Sequence, residues 1–179
     1  MTIKILEKTK GCSPVIFDCG DWFDLCTAED IKLKAPQANR LHKYNQKKET
    51  PEIRMRDVDF DYMLIPLGIA IELPKGFEAI IAPRSSTFLK YGLIQTNSIG
   101  IIDNTYCGEE DEWKMSALAT RAITIPKGTR IAQFRIQLSQ KASIWQRIKW
   151  LLGSKPKLKT VYSLSKNSRG GFGKGTGNK

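Results

Sequence analysis

Short apolar or alternating runs recur along this chain, each four to eight residues long and too brief for an ordinary globular helix. They are Met63–Leu67, Ile69–Leu73, Ala79–Ala82, Ile99–Ile102, Lys114–Leu118, Ala122–Ile125, Ile131–Leu138 and Thr160–Leu164. Turn signals separate several of them, including Leu73-Pro74-Lys75-Gly76 and Ile125-Pro126-Lys127-Gly128. Pro-Lys-Gly followed by a strand-like run suits a type I or II turn, so the pattern predicts an antiparallel sandwich or barrel. At 179 residues the chain is long enough to bury a substantial core, and one domain is expected. No repeat of solenoid length is present.

Two segments break the β pattern. Residues 32–57 are polar and charged and read as a long, mobile loop. Over residues 143–157, Ile144, Ile148 and Leu151 recur at helical spacing, with Trp145 and Trp150 near the borders and Gly153 and Pro156 as stop signals. Two readings of this helix are open. Its stripe docks on the β-body and its cations are merely solvated, or it is a surface helix for nucleic acid or an anionic membrane. Residues 165–179 are glycine-rich and are expected to form a flexible C-terminal arm on a β-domain spanning 1–164.

Charge narrows the partners. Lys141 to Lys179 holds ten Lys/Arg and no Asp/Glu, whereas residues 1–140 hold nineteen basic and eighteen acidic residues. A nearly neutral body with a basic tail predicts a polyanionic partner: the phosphates of a small molecule, nucleic acid, or an anionic surface. With one histidine, His42, most histidine-dependent triads lack material. Cys12, Cys19, Cys26 and Cys107 form no C-x-x-C pair and read as free thiols of a reducing compartment. No apolar run reaches the roughly 20 residues of a membrane span, and no signal-peptide pattern is seen, so an intracellular soluble protein is expected.

Four short motifs carry chemistry. Pro83-Arg84-Ser85-Ser86 follows a strand-like run; an Arg fork, two hydroxyls and free backbone N–H groups suit an anion, although Ser-Ser is also an ordinary N-cap. In Asn97-Ser98-Ile99-Gly100-Ile101-Ile102-Asp103-Asn104-Thr105-Tyr106-Cys107-Gly108, a carboxylate ends an apolar strand with an aromatic three residues on. This arrangement is either a base beside a stacking platform or a plain hairpin turned by Asp103 and Asn104. Lys127-Gly128-Thr129-Arg130-Ile131-Ala132-Gln133 is a turn leading into a strand. Arg169-Gly170-Gly171-Phe172-Gly173-Lys174-Gly175-Thr176-Gly177 can wrap phosphates and cover a base, but Lys174 is followed by Gly, so it is not a Walker A loop.

In this order the motifs resemble the second to fifth motifs of the homotrimeric dUTP pyrophosphatases (dUTPases), and Gly20-Asp21-Trp22-Phe23-Asp24-Leu25 stands where the first is expected. The resemblance implies a jelly-roll-like β subunit, three of which share three active sites, and hydrolysis of dUTP to dUMP and pyrophosphate with Mg2+. It implies that Asp103 orients the attacking water, that Asn97 reads uracil, and that Tyr106 packs on the deoxyribose. Arg84, Ser85, Ser86 and Gln133 would hold the phosphates, and Asp24 would contact magnesium through water. Phe172 would close over the base, with Arg169 and Thr176 reaching the phosphates. The tail departs from the family's usual Arg-Gly-x-Gly-Gly-Phe-Gly-Ser-Thr-Gly, since here Arg169 adjoins the paired glycines and Lys174-Gly175-Thr176 replaces Ser-Thr. The rival readings are a dCTP deaminase-like relative and a dUTPase scaffold with a regulatory or nucleic-acid-binding role. The expected location is the cytoplasm, or that of a host cell if the gene is viral.

Overall fold

A computed structural model describes residues 2–17, 20–44, 53–153 and 156–164, with only the backbone described at 39–44 and 53–56. In chain order the strands and helices are β1 (Thr2–Glu7), β2 (Phe23–Cys26), β3 (Ile31–Leu33), β4 (Gln37–Tyr44), β5 (Ile53–Asp59), β6 (Tyr62–Pro66), β7 (Ile69–Glu72), β8 (Phe77–Pro83), α1 (Ser85–Tyr91), β9 (Leu93–Gln95), β10 (Gly100–Asp103), β11 (Lys114–Ala119), β12 (Ile123–Ile125), β13 (Arg130–Leu138), α2 (Ile144–Leu151) and β14 (Lys157–Thr160). The fold is mainly β and of jelly-roll type, as expected.

The strands form sheets in the orders β14-β1-β7, β10-β8-β13-β2 and β6-β11-β9, with two-stranded pairs β12-β3 and β4-β5. All pairings are antiparallel except that of β14 with β1. In β8 and β11, alternate residues are buried, so each sheet turns one apolar face to the core. Phe134 of β13 is the hub, stacked on Phe23 at 5.0 Å and meeting Trp113 edge-on at 5.1 Å.

Both Pro-Lys-Gly segments are turns. Phe77 N–H donates to Pro74 O at 3.1 Å and Thr129 N–H to Pro126 O at 3.2 Å. Gly76 (φ 81°) and Gly128 (φ 79°) hold the third position, which selects type II.

Three expectations need correction. Residues 32–57 are not one loop: they contain the end of β3 and the antiparallel pair β4-β5. At Gln37, Ala38, Asp57, Val58 and Asp59 the side chains are exposed, so this ribbon buries no face there and needs no alternation to form. The last strand is Lys157–Thr160 rather than Thr160–Leu164, because these residues pair with the edge of β1.

The helix within 143–157 is present, but its stripe is not docked. Ile144 is 64% exposed and Leu151 84%, whereas Trp150 packs on Phe77 with ring centroids 5.7 Å apart. Gln146 Nε2 also donates to Lys75 O at 2.7 Å. A tryptophan removes more apolar area from water than an isoleucine, so the helix rolls Trp150 inward. The arm expected over 165–179 lies outside the described residues.

Candidate active site

The four-stranded sheet fixes where the motif residues stand. Antiparallel pairing sets Asp24 of β2 opposite Gln133 of β13, and Gln133 opposite Ala82 of β8. Arg84 follows the end of β8, and its N–H donates to Ile131 O at 3.1 Å. The second motif is stitched to β13 again by Thr87, whose hydroxyl donates to the same Ile131 carbonyl. Asp24, Arg84, Ser85 and Gln133 thus gather at one end of the sheet.

Within that cluster Asp24 is nearly buried and its charge is matched. Arg84 Nε stands 3.1 Å from Asp24 Oδ1, and Arg130 Nη1 stands 3.5 Å from Oδ2. Gln133 Nε2 donates to Pro83 O at 3.4 Å. A buried carboxylate needs such partners. Arg130 also lies over the Phe17 ring, 5.0 Å from its centroid. The sequence motifs do not single out Arg130 as a partner of Asp24; its place in Lys127–Gln133 beside a facing acidic strand is the only signal.

Asp103 lies elsewhere. It ends β10 and pairs with Glu78 near the start of β8, whereas Arg84 lies just beyond that strand's end. Six residues along a strand make a span of about 20 Å, so one protomer does not bring Asp103 to the Arg84 cluster. Asp103 Oδ1 accepts the Thr105 N–H at 2.7 Å and also the Thr105 hydroxyl. Tyr106 N–H donates to Asp103 O at 3.3 Å. The segment is therefore a turn built on Asp103, and Thr105, which the motif reading passes over, fixes the carboxylate's orientation.

Tyr106 is nearly buried, and its hydroxyl donates to Glu112 O at 2.9 Å. Burial first, and then the negative charges of Asp111 and Glu112, raise its pKa well above the usual tyrosine value, so the phenol stays protonated. Burial likewise raises the Cys107 thiol, with Glu72, Asp111 and Asp103 adding to the effect. Cys12, Cys26 and Cys107 are buried, while Cys19 lies outside the described residues.

Asn97 is exposed in the turn before β10, where its carbonyl accepts the Ile99 N–H and Ser98 adopts φ 56°. Beside it, a cavity of about 530 Å3 is lined by Pro83, Arg84, Ser85, Phe88, Gln95 and Ser98, among others. The start of the third motif thus adjoins the second motif, while its end at Asp103 runs away from it. Gln95 is a further buried polar group that sequence reasoning missed: Nε2 donates to Ile81 O at 3.2 Å, and Oε1 has no partner among the described residues. Arg169, Phe172 and Thr176 lie outside the described residues.

Among the described residues no group of three or more His, Cys, Asp or Glu is gathered to hold a metal ion. A cage built by the protein does not fit this donor set.

The fold and this distribution of charge define a mainly β protein with Arg84, Arg130 and Gln133 gathered around Asp24 at one end of its four-stranded sheet. The dUTPase family model matches residues 54–147. The chain is 43% identical over 117 residues to the SPbeta prophage-derived deoxyuridine 5'-triphosphate nucleotidohydrolase YosS of Bacillus subtilis, covering 65% of this chain and 66% of that protein. It is 40% identical over 113 residues to the deoxyuridine 5'-triphosphate nucleotidohydrolase of Rickettsia akari, covering 63% and 68% respectively. It thus spans about two thirds of the length of these relatives.

Among solved structures, the Streptococcus mutans dUTPase superposes with a TM-score of 0.58 at 18% identity, covering 77% of this chain and 95% of that one. The dUTPase of Staphylococcus aureus phage phi11 gives 0.56 at 14% identity, covering 79% and 93%. The chain belongs to the dUTPase family.

Proposed function

We propose that this protein is a dUTP diphosphatase that splits dUTP into dUMP and pyrophosphate. A water oriented by Asp103 attacks the α-phosphorus and gives its proton to the carboxylate as the new P–O bond forms. The α–β bridging oxygen leaves with pyrophosphate. Magnesium comes bound to the triphosphate as part of the substrate, and Asp24 meets it through water. Such a reaction demands positioning and charge neutralisation rather than a covalent nucleophile.

The observation that carries this reading is the Asp103 carboxylate, held by Thr105 at a strand end beside a buried, protonated Tyr106. In this reading Asn97 and the neighbouring backbone read uracil, and the Tyr106 ring walls the deoxyribose against a 2′-hydroxyl. Arg84, Ser85, Ser86 and Gln133 hold the phosphates. Arg169, Phe172 and Thr176 arrive with the tail, which excludes bulk water during the chemical step.

The backbone span of about 20 Å between Asp103 and Arg84 supports sites shared between copies in a homotrimer, since within one chain the two groups stand at opposite ends of β8. The cytoplasm, where nucleotide triphosphates are made and used, is the proposed place of action. One assay tests the reaction: incubate the protein with magnesium and either dUTP or dCTP and identify the products. dUMP and pyrophosphate from dUTP alone are expected; a deoxyuridine nucleotide formed from dCTP would assign the chain to the deaminase branch instead.

A further inference from the structure

Helix α2 stands on the body by one side only. Its N-terminus is closed by a capping box, with Ser143 Oγ accepting the Gln146 N–H and Gln146 Oε1 accepting the Ser143 N–H. Gln146 then anchors to the Lys75 carbonyl and Trp150 packs on Phe77. At about 100° per residue these two anchors lie at roughly 200° and 240° around the helix, counting from Ile144.

The opposite side is apolar and open. On the same wheel Leu151 falls at roughly 340°, Ile148 at 40°, Leu152 at 80° and Trp145 at 100°, so with Ile144 they cover an arc of about 120°. Ile144 is 64% exposed, Trp145 70%, Leu151 84% and Leu152 81%. Its two borders are cationic, with Arg147 at roughly 300° and Lys149 at 140°. Lys141, Lys157 and Lys159 are exposed close by in sequence, and no Asp or Glu occurs between Lys141 and Lys179.

We propose that α2 docks this protein on an anionic phospholipid surface. An apolar arc of aliphatic side chains and one tryptophan, bordered on each side by a long basic side chain, is the arrangement of a helix lying at a bilayer interface. There the arc enters the acyl boundary while Arg and Lys reach back to headgroup phosphates. Charge complementarity selects the surface: every described side chain from Lys141 onward that is charged at neutral pH is cationic, and each adds attraction to an anionic leaflet. The aliphatic content decides against nucleic acid. Ile144, Ile148, Leu151 and Leu152 have no base to stack on, whereas a single-strand platform depends on aromatic faces. The helix is too short to cross a bilayer and would lie on it.

The test is cosedimentation of the full chain with sucrose-loaded vesicles, of phosphatidylcholine alone or with one third phosphatidylglycerol. Binding to the anionic vesicles, weak binding to the neutral ones and loss at high salt are expected. The Ile144→Ser/Leu151→Ser/Leu152→Ser variant changes only exposed positions and should bind at least about tenfold more weakly, with dUTP turnover unchanged. Arg147→Gln/Lys149→Gln should weaken binding roughly twentyfold on anionic vesicles and little on neutral ones. The proposal is overturned if the wild type does not bind anionic vesicles at low salt, or if the serine variant binds as well as wild type. It is equally overturned if the serine substitutions change the oligomeric state, which would make a second copy the occupant. Binding of single-stranded DNA without binding of vesicles would also overturn it.

Discussion

Asp103 and Cys12 are the residues at which single substitutions say most. Asp103→Asn keeps an oxygen that can accept both Thr105 donors, so the turn should survive while the proton acceptor is lost. Loss of a general base typically costs roughly 10²–10⁴-fold in rate. Turnover of dUTP should fall by that factor at an unchanged melting temperature; retention of more than about half of wild-type turnover would remove Asp103 from this role. Cys12 reports on pH. Burial, with the Cys26 thiol as the next contributor, pushes its pKa from about 9 up to about 12. The folded chain keeps this proton where the unfolded chain loses it, so the contribution is complete below pH 9 and is lost as pH climbs towards 12. Tyr106 and Cys107 act in the same direction. Denaturant midpoints measured between about pH 8 and pH 11 should fall with rising pH, and less steeply for Cys12→Ala; equal slopes would assign the loss to other groups. At this scale the sequence makes Asp103, Arg84 and Gln133 visible because each sits in a short motif with its own chemistry. The Asp24 pairing with Arg84 and Arg130 is not visible, because it depends on which strands lie side by side, and neither is the burial of Gln95 against Ile81.

Elements were legible wherever burial on one face imposes a period on the sequence. Runs such as Lys114–Leu118 and Ile131–Leu138 coincide closely with β11 and β13 because the core demands their alternation. The β4-β5 pair and β14 escape that logic, being exposed at most described positions; β4 and β5 are held by pairing with each other, and β14 by pairing with β1, distant in sequence. For α2 the spacing identifies a stripe but does not say which side meets the body, so the sequence leaves both readings open, and the Trp150 contact with Phe77 decides for the exposed stripe. The connection between β6 and β7 carries a sharper constraint. Gly68 has φ 69°, and a Cβ there would lie 2.7 Å from Cys12 Cβ and 2.9 Å from Thr9 Cβ. Its carbonyl accepts the N–H groups of Lys8 and Thr9, and its own N–H donates to Glu112. Gly68→Ala should therefore destabilise by about 2–3 kcal/mol, combining backbone strain with overpacking against unyielding Cβ atoms. Urea unfolding checks this, and a loss under about 0.5 kcal/mol would mean that the loop relaxes.

For the whole molecule, the decisive quantity is the span between Asp103 and the Arg84 cluster. Both flank β8, one at its start and one beyond its end, about 20 Å apart along the backbone. If two copies build each site, Asp103→Asn and Arg84→Ala are lesions of different chains at that site and should complement. Each variant alone should be nearly inactive. After unfolding together in equal amounts and refolding, each site draws its Asp103 and its Arg84 from different chains. Each is intact with a probability of one half, so about one quarter of sites should be competent in a closed symmetric assembly. Turnover of dUTP near a quarter of wild type is therefore expected from the mixture. A site contained in one chain would give no recovery, because no chain in the mixture carries both groups. Native mass spectrometry of the same sample, with one variant isotopically heavy, shows whether mixed assemblies formed. Mixed assemblies without recovered turnover would place the whole reaction within a single protomer and require a large rearrangement of the β8 sheet.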